Sequence, residues 1–492
     1  MLTVVFLVCL LIWVPILFYH IERHSLQVLL VWLFIAPIAT NLVILPNSNP
    51  FFNIRGKGET SWRATPKEIK YTEIPTANLT LRGMLEPNRI LLSLFIVVFI
   101  LRSSLNTKRW TAMDGTEIWM CIFSIILVAS SLFYSIRTVF GLRTALDAFI
   151  IPFLGYFFAR RLVLQEESLR KLVQATGYMG SYLIILCLLE YVLHRDLFYR
   201  VAGPYRSINL LYVAISVIFF ITVLDLVQKN DPQTNKRYFP WWIRYFILFS
   251  APVIILLTWT RGEWLGFMLA VVIFVFLGRR LISHRFKLAM VGAGLLLLMI
   301  IAIATSQLPT KELASGRIGQ ATNVYGRFAT WLVGIQAGIE HPIFGIGLND
   351  SRAFLERRNQ QLKGVRSYTT LHNSLLSIFV ELGSIGLLAF LGIIVSIIRM
   401  ALTLYRRGRH LRDQWRGVVI IAIMVAYLVD ALFALTLYLS YGSQIYVYAC
   451  IGGIAGLYSQ NTRHQSDWLV DHPTQQVTTA ARPPKQKSFV HL

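Results

Sequence analysis

The sequence predicts an all-α integral membrane protein with about 12 to 13 transmembrane helices and one large extracytoplasmic segment. Three observations predict this class. The chain is 55% hydrophobic and only 14% charged, with a mean hydropathy of +0.58, whereas soluble domains carry about a quarter charged residues. Apolar runs of nearly membrane-spanning length recur along most of the chain. Lysine and arginine are concentrated in short clusters between those runs, such as "GRRLISHRFK" and "YRRGRHLRDQWRG".

The apolar runs predict the individual spans. The first run has neither a basic beginning nor a small-residue cleavage site, so we interpret it as a retained helix rather than a signal peptide. The third run is short, and the eighth and ninth are separated by almost nothing. The predicted spans lie near residues 1–19, 26–46, 89–102, 117–135, 143–160, 173–193, 208–227, 244–260, 262–278, 288–305, 374–398, 417–436 and 443–459.

The basic loops predict the orientation. Cytoplasmic loops of membrane proteins are enriched in lysine and arginine, and an alternating topology places five basic segments on one side: 102–116, 161–172, 228–243, 279–287 and 399–416. The N-terminus then lies outside and the C-terminal tail inside. The basic loop 48–88 falls on the outer side in this scheme, and long loops follow the charge rule weakly.

This topology divides the chain into five parts. The polar last part, which includes Pro483 and Pro484, has few core-forming residues and is predicted to be a disordered cytoplasmic tail. The parts are N-terminal spans with a basic outer loop (1–116), a transmembrane core (117–305), an extracytoplasmic segment (306–371), C-terminal spans (372–459) and the tail (460–492).

Composition also excludes some functions. The net charge of +23 is explained by the membrane-flanking clusters, and no aromatic-basic recognition motif for nucleic acid accompanies it. The cysteines lie in apolar runs far apart in sequence and show neither a disulfide framework nor metal-ligand spacing: Cys9, Cys121, Cys187 and Cys450.

The stretch "SYTTLHNSLLSIFVELG" contains the first candidate for chemistry. His372 and Asn373 stand where the outer segment turns into an apolar span. An imidazole with an ordinary pKa near 6.5 can remove a proton from a hydroxyl near neutral pH. The alternative for His372 is an interfacial helix cap.

Arginines lie on the same predicted side. In "TWTRGEWLGF", Arg261 occupies a nearly loop-free turn between two spans, and an arginine at membrane depth costs at least about 2.5 kcal/mol. It should therefore face a cavity or an anion, or else pair with Glu263 or extend to the interface. In "RVAGPYRSINLL", Arg200 and Arg206 flank the start of a span, and either could be an interface anchor.

The stretch "YGRFATWLVGIQAGIEHPIFGIGLND" predicts an outer helix. Arg327, Trp331 and Ile335 recur every four residues and so share one helix face. His341 and Pro342 should end the helix, because proline disfavours helical geometry in the residue before it. His341 could therefore be an ordinary cap, and Arg327 an ordinary surface arginine.

Together these residues suggest chemistry on a phosphorylated substrate. Guanidinium groups bind phosphate oxygens in a bidentate manner, and the histidine could act as a base. The sequence contains no recognisable metal-ligand spacing, phosphate-binding glycine loop or serine triad. We therefore predict displacement of a diphosphate leaving group by a hydroxyl at the outer face, without a metal.

These motifs resemble a known family. "RFATWLVGIQAGIEHPIFGIGL", a polar stretch and then "LHNSLLSIFVELGSIGLL" are similar to the O-antigen ligase and polymerase superfamily of bacterial envelopes. "TRGEWLGF" and "RVAGPYRS" resemble its arginine-bearing turn and the preceding outer loop. The similarity covers about residues 120–460.

The resemblance implies a GT-C-like fold in the bacterial inner membrane with an active site facing the periplasm. It implies inverting glycan transfer from undecaprenyl diphosphate to another glycan, to lipid A-core or to a protein hydroxyl, without metal or cofactor and alongside other polysaccharide assembly proteins. Carried over by motif, the base is His372, and Asn373 and His341 support it. The diphosphate contacts are Arg206, Arg261 and Arg327, with Arg200 as the rival of Arg206.

Two other functions compete with glycan transfer. Acids in the spans could form the path of a transporter for a small anion such as bicarbonate, namely Asp147, Glu190 and Asp430. No internal repeat of the kind found in transporters is visible, and the polar candidates collect on one side. The other competitor is a non-catalytic scaffold. Polymerase and ligase both stay open, with the N-terminal spans and the length slightly favouring a polymerase.

Overall fold

The protein is described by a computed structural model. It describes residues 25–42, 96, 112–194, 201–203, 207–227, 238–281, 321–355, 370–408, 410–438 and 441–471. Within these ranges every regular element is a helix, and seven helices are long and apolar enough to cross a membrane. The predicted class, an all-α integral membrane protein, is confirmed.

The helices follow the apolar runs of the sequence. In chain order they are α1 (Ser25–Leu42), α2 (Gly115–Phe133), α3 (Thr138–Leu162), α4 (Glu166–His194), α5 (Ile208–Val227), α6 (Trp241–Leu257), α7 (Arg261–Gly278), α8 (Ala321–Glu340), α9 (Ser374–Arg407), α10 (Leu411–Phe433) and α11 (Tyr441–Asp471). A 3-10 turn at Thr436–Tyr438 follows α10. The candidate membrane spans are α2, α3, α4, α5, α7, α9 and α10.

Three predictions differ from the structure or fall outside the part that it describes. The predicted span 374–398 is a longer helix, interrupted at Gly383, where the backbone has a φ of 68°. The predicted tail is helical as far as Asp471, since no glycine or proline stops α11 between Gly456 and Pro473. Outside the described residues lie the predicted spans 1–19, 89–102 (apart from residue 96) and 288–305 and the loop 48–88.

The packing of α3 against α11 shows how closely the spans approach. Gly452 and Gly456 are four residues apart on α11 and face the backbone of α3. A Cβ atom at these two positions would lie 2.4 Å from the carbonyl oxygen of Tyr156 and 2.2 Å from that of Arg160. Small residues at this spacing let helices pack at backbone contact within a membrane.

One end of the bundle, which we call the arginine end, gathers the helix ends beside the predicted cytoplasmic loops. Buried arginines join neighbouring helices there through ion pairs: Arg160 and Arg161 with Glu117, Arg244 with Asp225, and Arg416 with Glu166. The hydroxyl of Tyr405 donates to the carbonyl of Leu277 and joins the ends of α9 and α7. We call the opposite end, which contains the sequence-predicted site, the histidine end.

Candidate functional site

The loop after α8 is seated on the interruption of α9. Helix α8 ends at Glu340, as predicted, and the loop turns through Gly345 and Gly347, whose φ angles are 71° and 108°. A Cβ atom at Gly383 would lie only 2.1 Å from the carbonyl oxygen of Ile343. A glycine is therefore required here both by the positive φ and by the close approach of the two backbones.

Two buried acids hold this loop from opposite sides. The carboxylate of Glu381 on α9 accepts from the backbone N–H groups of Asn349 (2.8 Å) and Ser351 (3.3 Å). The carboxylate of Asp350 accepts from the backbone N–H of Ile136, at 2.7 Å, just before α3. The loop thus locks α9 to the connection between α2 and α3.

His372 has an unusual backbone conformation. Its φ of 49° is uncommon for any residue other than glycine. The imidazole Nε2 lies 2.8 Å from the hydroxyl oxygen of Thr370, and the indole N–H of Trp331 donates to the carbonyl of Leu371 at 2.7 Å. A contact to the ring and a hydrogen bond to the preceding peptide group therefore support a strained backbone at the residue predicted to be the base.

The start of α9 is capped by Asn373 rather than by His372. The Asn373 side chain accepts from the backbone N–H of Leu376 at 2.9 Å, which is the usual N-cap bond. The next residue, Ser374, donates from its hydroxyl to the carbonyl of Ala434 and accepts from the N–H of Leu437. The helix-cap interpretation of His372 is therefore wrong, and the imidazole is available for another role.

Arg327 lies close to this histidine. Its guanidinium donates to the carbonyl of Phe433, the last residue of α10, at 3.3 Å. Burial, together with the positive charge of Arg327, lowers the pKa of His372 from 6.5 to about 4. The imidazole is therefore neutral at neutral pH and can accept a proton.

The start of α7, which contains Arg261, packs on the same helix end from another side. Arg261 is the first residue of α7, its side chain is exposed, and the adjacent Gly262 packs on Phe433. A Cβ atom at Gly262 would lie 3.0 Å from the Cβ atom of Phe433. The C-terminus of α10 thus brings together Arg261, Arg327 and the segment containing His372.

The remaining predicted residues are placed differently. Arg200 and Arg206 lie outside the described residues, although the N–H of Val201 donates to the carbonyl of Leu257 at the same end of the bundle. His341 is exposed beyond α8. The carbonyl of the neighbouring Pro342 accepts a hydrogen bond from the N–H of Ser384. Ser384 lies about 15 Å along α9 from Ser374, at a rise of about 1.5 Å per residue. The structure does not bring His341 to His372.

The acids proposed for a transport path serve separate contacts. Asp147 forms an ion pair with Arg143 at 3.3 Å, in the same turn of α3. Glu190 accepts from the N–H of Gly203 at 2.8 Å and so holds the segment that precedes α5. Asp430 is buried in α10. In the described part of the chain, no three His, Cys, Asp or Glu residues form a group suited to a metal ion.

The sequence profile of a known family covers much of this arrangement. The family is described as O-antigen ligase, and its profile matches residues 245–391. This segment of the chain is therefore similar to the O-antigen ligase family. Most of the candidate residues lie within the match, namely Arg261, Arg327, His341, His372 and Asn373. Arg200, Arg206 and helix α10 lie outside it. Among curated proteins, none matches the chain.

The family match implies a type of reaction. That type is glycan transfer of the O-antigen ligase or polymerase kind, in which a lipid-linked glycan is the donor and a second glycan is the acceptor. The membrane-spanning helices agree with an enzyme of this type, because its donor is held in a bilayer.

Sequence reasoning missed the structural roles of three residues in the matched segment. Glu381 holds the loop, Ser374 holds the segment after α10, and Trp331 holds the backbone before His372. A carboxylate within an apolar span is costly unless it has partners, and that cost alone could have drawn attention to Glu381. Ser374 could not have been found in this way, because its partners lie about 60 residues away.

Proposed function

We propose that the protein transfers a glycan from a polyprenyl diphosphate, such as undecaprenyl diphosphate, to an acceptor hydroxyl at the periplasmic face of the inner membrane. The observation that carries this proposal is the convergence of Arg261, Arg327 and His372 on the C-terminus of α10. The product is a polymerised surface polysaccharide or a glycan ligated to lipid A-core.

In the proposed reaction the acceptor hydroxyl attacks the anomeric carbon of the donor glycan. Its proton passes to the neutral imidazole of His372 as the new glycosidic bond forms. The bond from the anomeric carbon to the diphosphate oxygen breaks, and the diphosphate leaves with that electron pair. A single displacement of this kind inverts the configuration at the anomeric carbon. No metal or cofactor takes part.

The arginines act on the leaving group. Arg261 and Arg327 neutralise the charge that develops on the diphosphate, with Arg206 or Arg200 as a third contact. The bound diphosphate also offsets the positive charge of Arg327, which lowers the pKa of His372 in the free protein. Donor binding therefore raises the pKa of the imidazole and makes it a stronger base in the complex.

Replacement of the histidine tests the mechanism. His372→Ala should reduce transfer by about 10²- to 10⁴-fold, the usual contribution of general base catalysis, while the donor still binds through the arginines. The measurement uses purified protein in nanodiscs with lipid-linked donor, acceptor and no added metal. His410→Ala, which removes an exposed histidine at the arginine end, is the matched control. Transfer by His372→Ala within a few-fold of the unaltered protein would disprove the proposed base.

Deletion of the gene distinguishes a polymerase, whose acceptor is another glycan, from a ligase, whose acceptor is lipid A-core. If the protein is a polymerase, the surface glycan of the deletion strain should collapse to single repeats. If it is a ligase, complete chains should accumulate on the lipid carrier. Unchanged surface glycan and an unchanged pool of lipid-linked chains would argue against both.

A further inference from the structure

Helix α8 exposes a continuous apolar stripe. Four large side chains stand on one side of the helix, at intervals of four, three and four residues, and they are 44% to 68% exposed: Phe328, Leu332, Ile335 and Ile339. This spacing lines them up along the helix axis. A helix surrounded by water would not be expected to expose its apolar side in this way.

The orientation of the stripe is set by the packing of the opposite side. Gly334 and Gly338 let α8 approach the start of α9 so closely that added Cβ atoms would lie 2.6 Å from the side chain of Leu371 and 2.2 Å from that of Phe379. The bond from Trp331 to the carbonyl of Leu371 fixes the same side. The stripe consequently faces away from the bundle.

The stripe continues into the surface of a membrane span. After α8, the exposed residues Ile343 and Phe344 extend it. The ring of Phe344 stacks on that of Tyr134, with centroids 5.4 Å apart, at the end of the span α2. The neighbouring Phe133 of α2 is 79% exposed, as expected of a side chain in contact with lipid. Aromatic residues of this kind are typical of the membrane interface.

The rest of α8 is polar enough for an interfacial position. It is 20 residues long but does not qualify as a membrane span. Next to the stripe, its exposed edge contains Gln336 and Glu340. An apolar stripe with a polar edge is the pattern of a helix that lies in the plane of the membrane surface.

We propose that α8 is such an interfacial helix and that its stripe is buried among the phospholipid acyl chains of the leaflet at the histidine end. Gln336 and Glu340 then face water. Arg327, whose guanidinium donates to the carbonyl of Phe433, lies on the packed side of the same helix. This proposal concerns the membrane and does not depend on the proposed reaction.

Depth-dependent quenching of a fluorophore tests it. The full chain, with its native cysteines replaced by alanine, is labelled with NBD at Leu332→Cys or, as the matched control, at Glu340→Cys. It is placed in nanodiscs of phosphatidylethanolamine and phosphatidylglycerol that contain doxyl-labelled phosphatidylcholine. The label at residue 332 should be quenched several-fold more by the doxyl lipid than by aqueous iodide. The label at residue 340 should show the reverse.

Two outcomes would overturn the proposal. Quenching of residue 332 by iodide would place the stripe in water. Protection from both quenchers would mean that protein covers it, either another segment or a second copy. If Leu332→Cys does not fold, Ile339→Cys allows the same measurement two helical turns further along the stripe. The fluorescence needs no substrate, so its result is independent of any failure of the proposed transfer reaction.

Discussion

The arginine end and the histidine end of the bundle use arginine in different ways. At the arginine end the guanidinium groups are buried and form short ion pairs with carboxylates, such as Arg160 with Glu117 at 2.7 Å, Arg244 with Asp225 at 2.8 Å and Arg416 with Glu166 at 2.6 Å. At the histidine end, Arg327 donates to a main-chain carbonyl, and the side chain of Arg261 is exposed.

This difference separates structural arginines from those suited to an anion. A carboxylate neutralises the charge of its arginine, as in the three ion pairs at the arginine end. The positive charge of Arg327, by contrast, acts on His372, whose pKa is lowered by burial and by this charge. The two ends should therefore respond to the loss of an arginine in opposite ways.

The largest effect should come from removing one arginine at each end of the bundle and comparing the two variants. Arg244→Ala leaves Asp225 buried without its ion pair and should destabilise the fold by about 3 to 5 kcal/mol. Arg327→Ala should leave the fold intact and reduce transfer by about 10²- to 10³-fold, the usual cost of losing a donor to a developing negative charge. Thermal unfolding and transfer per folded molecule measure both. An equal loss of fold in both variants would contradict the comparison.

A conservative substitution sharpens the role of Arg261. Lysine keeps the positive charge but loses the planar fork that binds two phosphate oxygens, so Arg261→Lys should reduce transfer by about tenfold or more. Arg279→Lys, at the opposite end of α7, is the matched control. Near-normal transfer by Arg261→Ala, at equal expression, would show that Arg261 is only an interface anchor.

The pH dependence of the free enzyme should report the pKa of His372. The protonated imidazole cannot act as a base, and its pKa is lowered to about 4. The value of kcat/KM should therefore stay level from neutral pH down to about pH 5 and fall as the pH approaches 4. Arg327→Gln removes one of the two causes of the lowered pKa, so this acid limb should move to higher pH in the residual activity. If the acid limb of the kcat/KM profile does not move, a group other than His372 causes the loss of activity at low pH.

The same pKa shift links pH to stability. The unfolded chain binds a proton at His372 with the ordinary pKa of 6.5, whereas the folded chain does so only at about 4. The contribution of His372 to stability is therefore complete above about pH 6.5 and decreases as the pH falls from 6.5 towards 4. Removal of the imidazole in His372→Ala should make the loss of stability over this interval smaller.

The smallest effect should come from removing the hydrogen bond between Trp331 and the backbone just before His372. Trp331→Phe keeps an aromatic ring but removes the N–H that donates to Leu371. We expect a loss of about 0.5 to 1.5 kcal/mol in stability and a few-fold decrease in kcat. Trp415→Phe, in a buried tryptophan that stacks on Phe274 at the arginine end, should leave kcat per folded molecule unchanged. An equal decrease in kcat for both variants would show that Trp331 has no specific role in positioning His372.

Much of the fold was determined by the sequence alone, because its causes are local. Apolar runs of spanning length predicted ten of the described helices, from α1 to α7 and from α9 to α11. The His341-Pro342 pair predicted the end of α8, and the change from polar to apolar residues placed His372 at the start of α9. Hydropathy and proline geometry act within a few residues, so one sequence is sufficient to detect them.

Only the tertiary structure decided how the site is assembled. Arg261, Arg327 and the segment of His372 belong to different helices, and the C-terminus of α10 brings them together through Phe433 and its neighbour. The family motifs did not include α10, and α9 was predicted without its interruption at Gly383. These features depend on the packing of segments 40 or more residues apart, and helical periodicity carries no information about which helix end will meet another.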